Sequence, residues 1–350
     1  MSQKKLGVGI VGCGTIAGIH AEALKNVTNG RLVASFSRNQ NKVDEFARKF
    51  GGEAFTDYDK FLANDELDVV AVCTPNGTHL DFGTAAADAG KHVIVEKPID
   101  ITTQRGRRLI EDCRNSKVKL AVIYQSRFAD DINRMKQVVD DGTLGKMFMA
   151  SATVKWFRDQ KYFTDAPWRG TLALDGGGVM INQAIHTIDL LTWFAGDVEY
   201  LFAVKGTLTH EGIEGEDNVV ASLQFKNGAM GMIQASTSMV PPMNRSVEIN
   251  GTKGTALLEG DLFRLIQSEE DLAKKAGSDG ASGSSSPLAG FSENNHKKQY
   301  DQIMDAILED KEPVVSGEDS LKSLAIVNAI YASAERKQPV YMKEFLDVQV

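Results

Sequence analysis

Cysteine is scarce in this 350-residue chain: Cys13, Cys73 and Cys113 are an odd number with no CxxC pair. That argues against a disulfide framework and gives no zinc pattern, so reduced, packed thiols and no metal are expected. No apolar run approaches the ~20 residues that span a bilayer, and residues 1–7 lack the apolar core of a secretory signal. A soluble, cytoplasmic protein with no membrane partner is the expectation. Positive charge is also in deficit, with 39 Lys and Arg against 47 Asp and Glu, a formal net charge of -8. With no basic tract either, nucleic acid is not an expected partner. What remains is 42% hydrophobic content, enough to build ordinary cores, and a length that predicts two domains at roughly 150 residues each.

The first apolar run, LGVGIV at 6–11, leads into Gly12-Cys13-Gly14-Thr15-Ile16-Ala17 and a helical pattern to residue 27. This is a G-x-G-x-x-A dinucleotide fingerprint. Gly12 permits a tight turn, Gly14 lets backbone approach a pyrophosphate, and Ala17 allows close packing of helix on strand. The helix N-terminus, from Thr15 and Ile16, favours phosphate charge. A second strand at 31–36 ends in Ser37-Arg38-Asn39. An NAD-specific site usually carries an acid there; Ser37 and Arg38 suit a 2′-phosphate instead, so NADP(H) is favoured and NAD(H) remains possible.

Helices at 41–50 and 57–62 follow, then a strand at 68–73 running into Thr74-Pro75-Asn76-Gly77-Thr78-His79. A helix at 78–89 leads to the strand His92-Val93-Ile94-Val95 and then Glu96-Lys97-Pro98. Lys97 thus stands at the C-terminal edge of a buried parallel strand, where open α/β sheets bind ligands. A helix at 102–115 and a strand at 118–124 complete an alternating βα order, which predicts a doubly wound parallel sheet over 1–125.

From 126 to 350 the texture changes. After a helix at 130–140, strand-like segments at 146–156, 200–208, 218–225, 229–238, 244–250 and 255–258 alternate apolar with polar residues. They predict a second α/β domain with an open, mostly antiparallel sheet, whose uncovered face is expected to self-associate as a homodimer or homotetramer. Asn227-Gly228 marks a hairpin. The Gly/Ser-rich 277–290 reads as a mobile loop, and helices at 294–308 and 319–336 close the chain. The chemically informative stretch is Pro167-Trp168-Arg169-Gly170, then Asp175-Gly176-Gly177-Gly178, then a helix over 179–194 that Asp175 is placed to cap. On it Asn182, His186, Asp189 and Trp193 form one stripe that either makes a satisfied buried network or faces a cleft.

Taken together, GCGTIA, TPNGTH, EKP and DGGGVMINQAIHTIDL resemble the glucose-fructose oxidoreductase, inositol dehydrogenase and rhizopine catabolism family, Gfo/Idh/MocA, over essentially the whole chain. The resemblance implies a Rossmann domain, an α/β domain whose open sheet serves oligomerisation, and a nicotinamide cofactor. It implies that Lys97 and His186 are catalytic and that the bond before Pro98 is cis. Asn182 stands where many members have Asp, which puts a carboxylate proton relay in doubt and leaves Asn182 to bind substrate. Trp168, Arg169 and Gln125 are similar to cofactor-side positions, and Arg127 to a cleft position. Thr74, Pro75, Asn76, His79 and Glu96 join the expected cofactor set. Arg127, Asp175, Gln183 and Tyr162 join the expected substrate set for a sugar, cyclitol or sugar derivative. The implied reaction is hydride transfer between nicotinamide C4 and a secondary alcohol, with His186 as base and Lys97 stabilising the alkoxide, or with the two roles shared or reversed, because a cationic nicotinamide disfavours the Lys97 ammonium. Two alternatives stay open, a redox-neutral NAD-dependent glycosidase and a non-catalytic dinucleotide-sensing regulator.

Overall fold

Short apolar runs separated by helices build the first of two units, which takes in the described residues of 1–125 and 292–321. The structure, a computed structural model, describes residues 5–269, 271 and 293–346, so the segment expected as a loop at 277–290 lies outside it. Strands β1 (Leu6–Val11), β2 (Gly30–Phe36), β3 (Glu53–Phe55), β4 (Val69–Val72), β5 (His92–Val95) and β6 (Leu120–Val122) form one sheet. Its order is β3-β2-β1-β4-β5-β6 and every pairing is parallel. Residues of β1 and β4 are buried throughout, as continuous apolar runs must be when helices cover both faces of a sheet. The helices are α1 (Thr15–Leu24), α2 (Gln40–Phe50), α3 (Tyr58–Leu62), α4 (His79–Asp88) and α5 (Thr103–Asn115). Asn39, Asp57 and Thr102 accept the first amides of α2, α3 and α5. The strand order reverses between β1 and β4, the position at which doubly wound sheets take a dinucleotide.

The second unit takes in the described residues of 126–291 and 322–349. It carries α6 (Asp130–Asp140), α7 (Gln160–Thr164), a π-helical turn at Met180–Ala184 and α8 (Ile185–Ala195). Its strands are β7 (Met147–Lys155), β8 (Val198–Gly206), β9 (Asn218–Phe225), β10 (Met230–Ser236), β11 (Ser246–Gly251), β12 (Gly254–Glu259), β13 (Leu262–Ile266) and β14 (Val340–Tyr341). They run β13-β12-β11-β7-β10-β9-β8-β14, antiparallel except for β10 beside β7. Val219, Ala221, Leu223 and Phe225 of β9 point inward, and α8, buried over most of its surface, lies against β7 and β11. The outer face carries Phe202, Val204, Val220, Met230 and Met232, all exposed. Register makes them neighbours: Val204 faces Val220, Phe202 and Met232 flank Ser222, and Met230 faces Met149.

The remaining helices named among the described residues are α9 (Glu293–Leu308), α10 (Gly317–Arg336) and α11 (Lys343–Leu346). Here the expected division corrects itself: α9 belongs to the first unit, not to a second domain running unbroken from 126 to 350. Tyr300, Ile303 and Met304 are buried in the core that holds Ala17, Ala21, Leu24 and Val27. Each such apolar side chain contributes about 1.5–3 kcal/mol on burial, so α9 is part of that core and not a tail upon it. Among the described residues no helix is long and apolar enough to cross a membrane.

Candidate active site

At the end of β1 the chain turns at Gly12, whose φ is 94° and where a Cβ would lie 2.7 Å from the Cys73 carbonyl oxygen. Gly14 is the converse, since a Cβ there would meet nothing within 4 Å. Helix α1 begins at this point with no side-chain cap and no acidic residue in its first turn. Gly14 and Thr15 are exposed, Ile16 half-buried and Ala17 buried against the sheet. Open space, helix N-terminal amides and the absence of a competing carboxylate fit the pyrophosphate of a dinucleotide. At the end of β2, Ser37 Oγ accepts from the Asn39 amide at 3.2 Å, and the Arg38 side chain is exposed.

Past β4, Thr78 Oγ1 donates to Thr74 Oγ1 at 2.7 Å, and Pro75 opens the short 3-10 turn Asn76–Thr78, in which Asn76 is buried. His79, expected in the cofactor set, is found inside the unit. Its ring is fully buried, with Nδ1 2.9 Å from the Pro98 carbonyl and Nε2 3.0 Å from that of Thr74. It sits between the two strand-end turns, its single N–H donating to one of the two carbonyls. The Lys97-Pro98 bond is cis, and Lys97 itself is half-buried. The carboxylate of Glu96, also expected in the cofactor set, is met from within the unit. Oε1 meets His20 Nε2 at 2.7 Å and Oε2 accepts from the Lys97 amide at 3.1 Å. Burial pushes the Glu96 carboxyl up, but the hydrogen bond and charge of His20, with His296 and Lys97 behind it, bring it down to about 2. Gln125 is buried just past β6.

In the second unit the glycine run after Asp175 is a close-approach device. A Cβ on Gly177 would lie 2.2 Å from Tyr331 Oη, and one on Gly178 would lie 1.9 Å from the Glu216 carbonyl oxygen. The expected cap is not the observed one. Asp175 accepts from the Gly170 amide at 2.8 Å and from Asn182 Nδ2 at 2.8 and 3.0 Å. The first amides of the following helix go to Glu216 instead: Gly178 N to Oε2 at 3.1 Å and Met180 N to Oε1 at 2.9 Å, with Tyr331 Oη donating to Oε1 at 3.1 Å. Glu216 was missed because it enters from a segment 38 residues further along the chain, and no local pattern marks it.

The π-helical turn at Met180–Ala184 re-phases the stripe after Asn182, since its bonds span one residue more than those of α8. His186 lies buried in the first turn of α8. One turn on, Asp189 takes a two-pronged pair from Arg127, Nε to Oδ2 at 2.8 Å and Nη2 to Oδ1 at 2.6 Å, while the guanidinium lies 5.2 Å from the Trp193 ring. Arg127, expected among substrate contacts, is thus half of a buried ion pair, and this part of the stripe is a satisfied network. Beside it, Gln183 Nε2 donates to Tyr162 Oη at 3.1 Å. The Arg169 guanidinium covers the Tyr162 ring at 4.0 Å and also lies 5.7 Å from that of Trp168. Burial raises the Tyr162 phenol, so the hydroxyl is a neutral donor or acceptor at neutral pH. Within this unit Tyr162, Arg169 and Gln183 are drawn together, as are Asp175 and Asn182. Arg158, 5.4 Å from the Tyr162 ring, joins them without any sequence signal.

Residues 6–124 match the model of an oxidoreductase family with an NAD-binding Rossmann fold, and residues 132–257 match the GFO/IDH/MocA C-terminal domain. Myo-inositol 2-dehydrogenase of Thermotoga maritima is 29% identical over 97% of this chain and 99% of its own length. Oxidoreductase P35 of Formosa agariphila is 30% identical over 65% of this chain and 71% of its own. Among solved structures, the WlbA dehydrogenase from Bordetella pertussis, in complex with NADH and UDP-GlcNAcA, is similar with a TM-score of 0.85. The two are 31% identical, over 97% of this chain and 99% of that one. With both of its units matched in this way, the chain belongs to the GFO/IDH/MocA family of NAD-binding oxidoreductases.

Proposed function

We propose that the protein is an NAD(P)-dependent dehydrogenase that interconverts a secondary alcohol and a ketone on a sugar, cyclitol or sugar derivative. The observation that carries this reading is a lysine, Lys97, at the C-terminal end of β5 in a sheet whose β1 turn fits a dinucleotide. The inositol dehydrogenase and the UDP-GlcNAcA-bound dehydrogenase among its relatives support a polyhydroxylated substrate. The nicotinamide, when bound, supplies the hydride acceptor or donor. The chain supplies the proton chemistry. His186 takes the hydroxyl proton, and the Lys97 ammonium stabilises the charge that develops on oxygen. Asn182 is an amide, so it positions a hydroxyl and neither takes up nor gives up a proton; Asp175, Gln183, Tyr162 and Arg127 complete the proposed substrate set. Lys97→Ala and His186→Ala, assayed over a panel of sugars, inositols and nucleotide sugars, are expected to lose at least about a hundredfold in kcat while still binding NADH. Near-normal turnover in both variants defeats the assignment.

The same reading favours NADP(H). No carboxylate stands at residues 37–39, and Ser37 with the exposed Arg38 offers a hydroxyl and a guanidinium to a 2′-phosphate. Arg38→Ala is expected to lower kcat/KM for NADP about tenfold or more with little effect on NAD. A wild-type protein that uses NAD as well as or better than NADP removes the preference. The exposed apolar face of the eight-stranded sheet is proposed as the surface through which copies associate into a dimer or tetramer.

A further inference from the structure

His20 lies on α1, 76 residues before Glu96 in the chain, and it is fully buried. Its Nε2 is 2.7 Å from Glu96 Oε1 and its Nδ1 is 2.8 Å from Tyr300 Oη, on α9. Glu96 Oε2 accepts from the Lys97 amide, so a chain of bonds runs from the core to the peptide of the lysine. We infer that His20 is a positioning residue for Lys97, acting through Glu96 and itself oriented by Tyr300. The inference rests on the reading of Lys97 as the catalytic amine.

The groups facing His20 are Glu96 from the end of β5, Tyr300 and His296 from α9, and Cys73 after β4. Ligand-type atoms of His20, Glu96 and His296 lie within 4.8 Å of one another, a spacing that also raises a metal site. The direct 2.7 Å contact argues against it, because two ligands each about 2.1 Å from a tetrahedral ion stand roughly 3.4 Å apart. The cluster is a hydrogen-bonded brace. An ionised Glu96 is an acceptor only, so Nε2 of His20 carries the proton between them. Burial works against an imidazolium here, yet Cys73, Tyr300 and Glu96 together hold His20 well above its ordinary value. Such a brace has a functional use, since a lysine that must meet a reacting oxygen gains from a backbone that does not wander.

Two substitutions separate the bonds of the imidazole. His20→Gln keeps a donor near the Nε2 position, toward Glu96; His20→Asn keeps one near Nδ1, toward Tyr300. Lys97 is labelled with an amine reagent at alkaline pH and read by peptide mass spectrometry, with the exposed Lys60 as internal reference, and NADH affinity is followed by nicotinamide fluorescence. His20→Asn is expected to change the Lys97 labelling rate about threefold or more, with Lys60 and NADH affinity unmoved, and His20→Gln to restore the wild-type rate. Equal rates in the two variants, or a wild-type rate in His20→Asn, overturn the inference. Should His20→Asn fail to fold, Tyr300→Phe is expected to move Lys97 labelling in a smaller degree, and no movement there overturns it too. Near-normal turnover of Lys97→Ala removes the catalytic reading while leaving the labelling result standing, so the two failures are told apart.

Discussion

A buried carboxylate must be met by charge or by hydrogen bonds, and this chain meets its buried acids in different ways. Asp189 has the Arg127 fork, Glu96 has His20, and Glu216 has backbone amides and a phenol. The first is the most exposed to mutation. Arg127→Ala strands the Asp189 charge in the interior and is expected to cost about 3–5 kcal/mol, whereas replacing both partners by apolar residues of similar volume recovers most of it. Thermal melts of the single and double variants check this; a single variant that melts like wild type shows that the pair contributes nothing. For Glu96 the sign follows from its depressed value. The carboxyl falls from an ordinary 4.5 to about 2 in the folded protein, so its contribution is whole above 4.5 and drains away as pH drops through about 2. The acid limb of a melting-temperature profile is expected to flatten in Glu96→Gln, and an unchanged limb speaks against the brace.

Among elements, the helix that carries His186 shows what a sequence discloses and what it withholds. Its existence and its apolar face were legible, because residues 179–194 hold a long, strongly apolar run behind three glycines. Its cap was not, since Glu216 and Tyr331 arrive from elsewhere in the chain, and no local pattern marked its π-helical turn. The same division holds for the sheets. Asn218–Phe225 was readable residue for residue from its alternation, while the parallel contact of β7 with β10 leaves no local mark, because alternation records faces and not partners. The placement of the glycine turn after β1 and of Lys97 after β5 was legible from local motifs, whereas the partners of His79 and Glu96 were not. Glu216→Ala is expected to cost about 1–3 kcal/mol by leaving helix amides and a phenol unmatched, and Gly178→Ala to cost more, given a backbone oxygen 1.9 Å from the new methyl. Chemical denaturation measures both. If Gly178→Ala is as stable as wild type, the close approach described here is wrong.

At the scale of the whole molecule, the open sheet face and the route of the chain matter most. Met232 lies between Ser222 on one side and Ser151 on the other, in the middle of the exposed apolar face. Met232→Glu is therefore expected to shift a sedimenting dimer or tetramer toward monomer while leaving the melting of the protomer nearly unchanged, and a wild type that sediments as a monomer removes the proposal. Alternation told which side of the sheet stays uncovered, but nothing in residues 126–350 announced that α9 returns to the first unit. That return bears on how the protein is made. Because Tyr300, Ile303 and Met304 complete the interior beneath α1, the amino-terminal part of the first unit, residues 1–125, cannot seal as it leaves the ribosome. It waits, with greasy surface bare, until α9 has been translated, and a chain stopped before α9 lacks the side chains that close that interior.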